Sequence, residues 1–275
     1  MLTKKELSDA LGLSCVEKYF LAWLGSYYDI NNLYANSFIG LNRLFDAFAY
    51  GATYENHCEI ERLQDLAEEY GIVKHKYIPC RADEAIEIIK QKKKDELFLI
   101  RVNTRFFLNF KRSSWREDHY ICIDNDLSWI NEYPLSEGKF DKKEFENIFD
   151  GAICVYSLND LSIIPPDMIR PAVCGQRFDK LPEISLSKFE GALGVFRITR
   201  KRMLMYSHIP KEIKEILTDE IKIADKLYFS ARLKQIKANN GDIAEPVVTE
   251  SDIKTIIEYE KKIQEHFLNN DCEKN

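Results

Sequence analysis

The chain has 275 residues, 45 % hydrophobic and 31 % charged, with 16 Phe and 14 Tyr. That is a globular composition with room for one substantial domain and a smaller one, and it excludes disordered, fibrous and low-complexity classes. A formal charge of −6 gives no footprint for nonspecific nucleic-acid binding, and no stretch approaches the ~18 apolar residues of a membrane span.

The N-terminus carries no signal-like apolar run, so the expected location is the cytoplasm. Seven cysteines without a CxxC pair fit reduced thiols better than a disulfide framework or a zinc site.

In chain order, Ser14 and Glu17 form a capping-box pattern ahead of Val16, Tyr19, Phe20, Trp23 and Leu24 at helical spacing, so a buried helix is predicted from Cys15. The stretch 26–55 is aromatic-rich and less periodic. A second helix start is predicted at Asn56, His57 and Cys58, with Gly71 as its stop. Strands are then predicted at 72–78, 97–102, 119–123, 127–131 and 152–156, and a helix at 83–92. The turn Asp124, Asn125, Asp126 makes a hairpin of the strands on either side of it. Beyond Ile163, Ile164, Pro165 and Pro166 the strand patterns stop, and helices are predicted at 187–207, 211–238 and 249–268. The organisation is an α+β domain over 1–160 and a helical domain over 163–270.

A cysteine acts as nucleophile only as thiolate. In the first turn of a helix, unpaired N–H groups and the positive dipole end lower its pKa and can steady an oxyanion. Cys15 has that placement. Its rival Cys58 has it too, but the neighbouring His57 diverges by about 100° around the helix and is poorly placed as a base. Cys58 is read as structural. His119 lies within an apolar strand, where an imidazole needs a polar partner or a catalytic reason to be present. A three-residue hairpin loop would set it opposite Asn131, and a two-residue loop opposite Glu132. Either residue could fix the ring.

The elements in this order, with Asp118, His119, Tyr120, Ile121, Cys122 and Ile123 followed by Trp129, Ile130, Asn131, Glu132, Tyr133 and Pro134, resemble the N-terminal region of the butirosin-biosynthesis protein H family. They are similar, more distantly, to the peptidases that cut double-glycine leaders. The resemblance covers about residues 10–158. It implies a papain-like fold with Cys15 as nucleophile, His119 as base, and Asn131 or Glu132 as the residue that orients it.

It also implies an acyltransferase that moves an acyl group from a carrier-protein thioester to a small amine, as in thiotemplated antibiotic pathways such as closthioamide assembly. The enzyme would have no cofactor of its own, and its substrate would ride on the phosphopantetheine arm of an acyl or peptidyl carrier protein. Phe106, Phe107 and Phe110, in the irregular loop before His119, are the candidates to line the acyl pocket, ahead of Tyr27, Tyr28 and Tyr34. Asp9 departs from the pattern, because papain-like peptidases carry a Gln oxyanion donor six residues before the Cys. The stretch 197–237 holds eleven Lys and Arg against five Asp and Glu, so a face including Arg197, Arg200, Lys201 and Arg202 is a candidate dock for an acidic carrier.

Overall fold

The protein's structure, a computed structural model, describes residues 2–34, 40–51, 62–103, 119–159, 185–206, 209–239 and 250–272. Contacts divide the chain into two compact units, Met1–Ile30 with Arg62–Ile164, and Asn31–Glu61 with Pro165–Asn275. The sequence reading leaves 31–61 with the first domain. In the structure this segment groups with the C-terminal helices, so the chain leaves the first unit and returns to it.

The first unit is α+β. It opens with α1 (Lys4–Asp9) and α2 (Cys15–Leu24), and α5 (Leu63–Glu69) follows the return. After these come β1 (Val73–Pro79), α6 (Ala82–Lys90), β2 (Glu96–Val102), β3 (His119–Ile123), β4 (Ser128–Glu132), β5 (Leu135–Lys139), α7 (Lys142–Ile148) and β6 (Phe149–Leu158). The strands form one antiparallel sheet in the order β1-β6-β2-β3-β4-β5.

Side-chain alternation gives the sheet two apolar sides. On one, Phe98, Ile100 and Val102 of β2 and Ile121 and Ile123 of β3 pack with Ile86 and Ile89 of α6 and Phe145 and Ile148 of α7. On the other lies α2, whose Phe20 ring meets Tyr156 of β6 at 5.1 Å. The most buried strands are β2 and β6, which lie inside the sheet and carry the apolar runs Leu97–Ile100 and Ala152–Tyr156.

Local chemistry explains the boundaries. Ser14 Oγ accepts from Glu17 N–H at 3.2 Å and starts α2. Gly71 ends α5 at φ +70, where a side chain would be strained. Gly138 of β5 lies under the Trp129 indole, and a Cβ there would fall 2.7 Å from it. The predicted capping box is only half formed. Glu17 is 2 % exposed and turns its carboxylate to Leu13 N–H at 2.6 Å and to Leu63 N–H at 3.0 Å, joining the loop before α2 to the start of α5.

The second unit is helical: α3 (Asn31–Tyr34), α4 (Leu41–Ala49), α8 (Leu186–Met205), α9 (Lys211–Asn239) and α10 (Glu250–Cys272). Most of the arginines proposed for a docking face point inward. Arg200 and Arg202 are fully buried, and Arg197 pairs with Asp225 beneath the rings of Tyr228 and Phe229. They are packing groups, because the guanidinium's flat faces stack on aromatics and its fork pairs with carboxylates. No described helix is long and apolar enough to cross a membrane.

Glu17→Ala leaves two buried N–H groups without this acceptor and is expected to destabilise the protein by about 3 kcal/mol in urea unfolding, with Glu17→Gln, which keeps one acceptor oxygen, losing about half as much. A loss under about 1 kcal/mol for the alanine variant would show that both N–H groups find other partners.

Candidate active site

The site is built on the first turn of α2 and the facing ends of β3 and β4. Gly12 lies against the helix backbone, where an added Cβ would fall 2.4 Å from Lys18 Cα, so the loop into Cys15 passes close over the helix start. Cys15, Lys18 and Tyr19 follow at spacings of three and four and share one face. The Cys15 thiol accepts from the backbone N–H of Tyr120, the residue after His119, and its own N–H and that of Val16 also face it. Tyr19, fully buried, accepts from Glu132 N–H at 2.8 Å through its hydroxyl. Lys18 Nζ reaches Glu132 Oε2 at 3.3 Å in a partly buried ion pair.

The hairpin register separates the two candidates for orienting His119. Asp124 and Ser128 close a loop of Asn125, Asp126 and Leu127, the last at φ +64, and the pairs Ile123↔Trp129 and Cys122↔Ile130 follow. Continuing that register sets His119 opposite Tyr133. Neither predicted partner is directly across. Asn131 is the diagonal neighbour on the same side of the sheet, within reach of a ring, while Glu132 points to the α2 side.

His119 Nε2 and Asn131 Oδ1 lie 2.7 Å apart. Asn131 is fully buried, and its Nδ2 donates to Pro134 O at 3.0 Å, so the amide oxygen must face the ring. An amide oxygen only accepts, which puts a ring proton on Nε2, so that in the neutral ring Nδ1 carries the lone pair. Nδ1 is the nitrogen nearer the main chain, and the next residue of that main chain, Tyr120, is the one whose N–H reaches Cys15. Among the described residues no hydrogen bond joins the thiol to the imidazole.

Burial pushes the Cys15 thiol above its ordinary value of 9.0, against the Tyr120 N–H, which pulls it down, and with the Glu132 carboxylate, which pushes it further up. The sequence reading expects a helix N-terminus to lower this pKa. Desolvation and one nearby carboxylate outweigh the N–H groups here. Asp9 ends α1 with an exposed side chain, so solvent screens its charge. The donors available to an oxyanion at Cys15 are the backbone N–H groups that face the thiol.

No family model, curated protein or solved structure matches the chain. The site therefore stands on its own geometry.

Phe106, Phe107 and Phe110, and with them Asp118, His57 and Cys58, lie outside the described residues. Tyr27 is exposed, and its hydroxyl donates to Lys94 O at 2.9 Å. Tyr34 is buried in the helical unit. Cys122 and Cys154 are buried structural thiols, Cys122 pushed up to about 12 mainly by burial. His75 stacks on Tyr156 at 4.7 Å. No group of three His, Cys, Asp or Glu among the described residues could hold a metal ion. Sequence reasoning missed Lys18 and Tyr19, although their spacing from Cys15 was the available indication.

Glu132→Gln removes a negative charge that raises the thiol, so more thiolate is present at neutral pH. Alkylation of Cys15 by iodoacetamide, followed by peptide mass spectrometry at about pH 8, is expected to be roughly 3- to 10-fold faster than in the parent. An unchanged or slower rate would show that Glu132 does not act on Cys15.

Proposed function

We propose that the first unit is a papain-like acyltransferase in which Cys15 is the nucleophile, His119 the base and Asn131 the residue that orients the base. The observation that carries this reading is the Asn131 amide held on His119 Nε2, because it fixes the tautomer with a free Nδ1 beside the strand residue that touches Cys15. A structural histidine satisfied by its surroundings has no need of a ring nitrogen free for proton transfer.

The donor is an acyl thioester on the phosphopantetheine arm of a carrier protein, and the acceptor is a small amine. Cys15 sulfur, giving its proton to Nδ1, attacks the thioester carbonyl. The tetrahedral oxyanion is met by the backbone N–H groups at the helix start. The carbonyl reforms as the carrier thiol leaves with that proton, and an acyl-Cys15 thioester remains. The amine then attacks this second thioester, His119 takes its proton, and the amide departs as the Cys15 thiol is restored. The setting is a reducing cytosol, which keeps Cys15 as a thiol. With Arg197, Arg200 and Arg202 turned inward, an acidic carrier would have to use exposed lysines of α9 such as Lys222, Lys226 and Lys237.

The raised thiol and the missing thiol–imidazole hydrogen bond favour a second reading, a binding protein of the same fold without turnover. Intact-mass measurement after mixing with carrier-bound acyl thioesters separates the two. The transferase reading expects an acyl adduct on Cys15 that persists until an amine is added and then appears as amide. Cys15→Ala should abolish both events, and Cys58→Ala should leave them intact. His119→Ala should slow them by roughly 10²- to 10⁴-fold, and Asn131→Ala should cost more than Glu132→Ala. Adduct lost as free acid whatever the amine would make the protein a thioesterase or peptidase, and no adduct with any thioester would leave the binding reading.

A further inference from the structure

In the helical unit three buried charges meet at one point. Arg200 of α8 sits between Glu220 of α9 and Glu260 of α10, and all three side chains are within 1 % of fully buried. Arg200 Nε donates to Glu220 Oε2 and to Glu260 Oε1, each at 3.0 Å, and Nη2 also donates to Glu260 Oε1. Glu260 Oε2 accepts from Leu41 N–H, at the start of α4, at 3.2 Å. Thr199 Oγ1 takes a further guanidinium N–H at 3.3 Å.

Arg202 lies over the Tyr34 ring, and Arg197 and Lys201 pair with Asp225 of α9. Among the described residues one guanidinium therefore meets two carboxylates, and an uncompensated charge at full burial is among the most destabilising arrangements a core can hold.

One oxygen shows how this is resolved. Glu220 Oε1 is buried and no donor of the described residues reaches it, while the Glu220 and Glu260 carboxyl groups both close on the one Arg200 Nε at 3.0 Å and so crowd each other. Two ionised carboxylates are acceptors only and would repel there. We infer that Glu220 and Glu260 share one proton at neutral pH, making a neutral three-helix lock with Arg200 that opens when that proton is lost. The lock ties the start of α4, in the segment 31–61, to the three C-terminal helices.

Burial first, and then the charge of Glu260, hold the Glu220 carboxyl well above the ordinary glutamate value of 4.5. The sign follows from linkage. The unfolded chain releases this proton above about pH 4.5 and the folded unit keeps it, so the contribution is complete below that pH and is lost as pH rises through the folded value.

The test uses the full chain. The unfolding midpoint is followed between about pH 6 and 9 for the parent and for Glu220→Gln, whose amide donates to Glu260 without titrating. The parent should lose stability with rising pH with a slope greater than the variant's by up to one proton. The infrared carbonyl band of a buried protonated carboxyl should be present in the parent at neutral pH and reduced in Glu220→Gln. Equal slopes in the two proteins would overturn the inference. So would absence of the band from the parent, a measurement that decides the matter even if the variant fails to fold.

Discussion

One buried carboxylate sets the geometry on which the first unit depends. Glu17 binds the N–H of Leu13, just before α2, and the N–H of Leu63, just after the chain returns from the segment 31–61. Burying a carboxylate is expensive unless charge-assisted hydrogen bonds replace its water, and these two do so while joining segments 50 residues apart in sequence. Its neighbours complete the constraint. Lys18 and Tyr19 both reach Glu132, one through an ion pair and one through the backbone N–H, and so fix the rotation of α2 about its axis. Cys15 is presented to β3 by three consecutive residues of its own helix.

Those contacts also give the thiol its character. A partly buried thiol near a paired carboxylate has its pKa pushed up and stays neutral at rest, unlike the preformed thiolate that a bare helix N-terminus would favour. Nucleophilic attack from this state requires a base at the moment of reaction, which is the role an Nε2-protonated histidine can fill through Nδ1. The Lys18–Glu132 pair would then tune the thiol, and Asn131 would set the tautomer. The two residues that could not be told apart by spacing thus have different surroundings, because consecutive strand residues face opposite sides of the sheet.

Much of this was legible in the sequence, and the failures have physical causes. The apolar strands 97–102, 119–123 and 152–156 and the three long helices were readable because burial on both sides, or on a broad stripe, leaves a plain pattern. β5 was missed because an edge strand, Leu135–Lys139, keeps alternate residues in water and contains a glycine required by Trp129 and not by a turn. The short helices α1 and α7 were missed although Thr3 with Glu6, and Asp141 with Glu144, each form a complete capping box. Composition misread 197–237 as a charged face, since no local pattern reveals that Arg200 will meet Glu260, 60 residues away. Cys15 at a helix start and His119 at the start of a strand were readable from local placement, but the partner of His119 depended on a loop register that shifts by one residue between equally plausible turns.

The central claim is that Cys15, His119 and Asn131 form one proton-transfer site, and the His119 ring reports on it most directly. Nitrogen-15 correlation spectra of the imidazole distinguish the protonated from the bare nitrogen. The account predicts Nε2–H and bare Nδ1 in the parent, loss of that preference in Asn131→Ala, and a displaced Nδ1 resonance once Cys15 is carboxamidomethylated. A ring protonated at Nδ1, or an Nδ1 resonance indifferent to modification of Cys15, would contradict it.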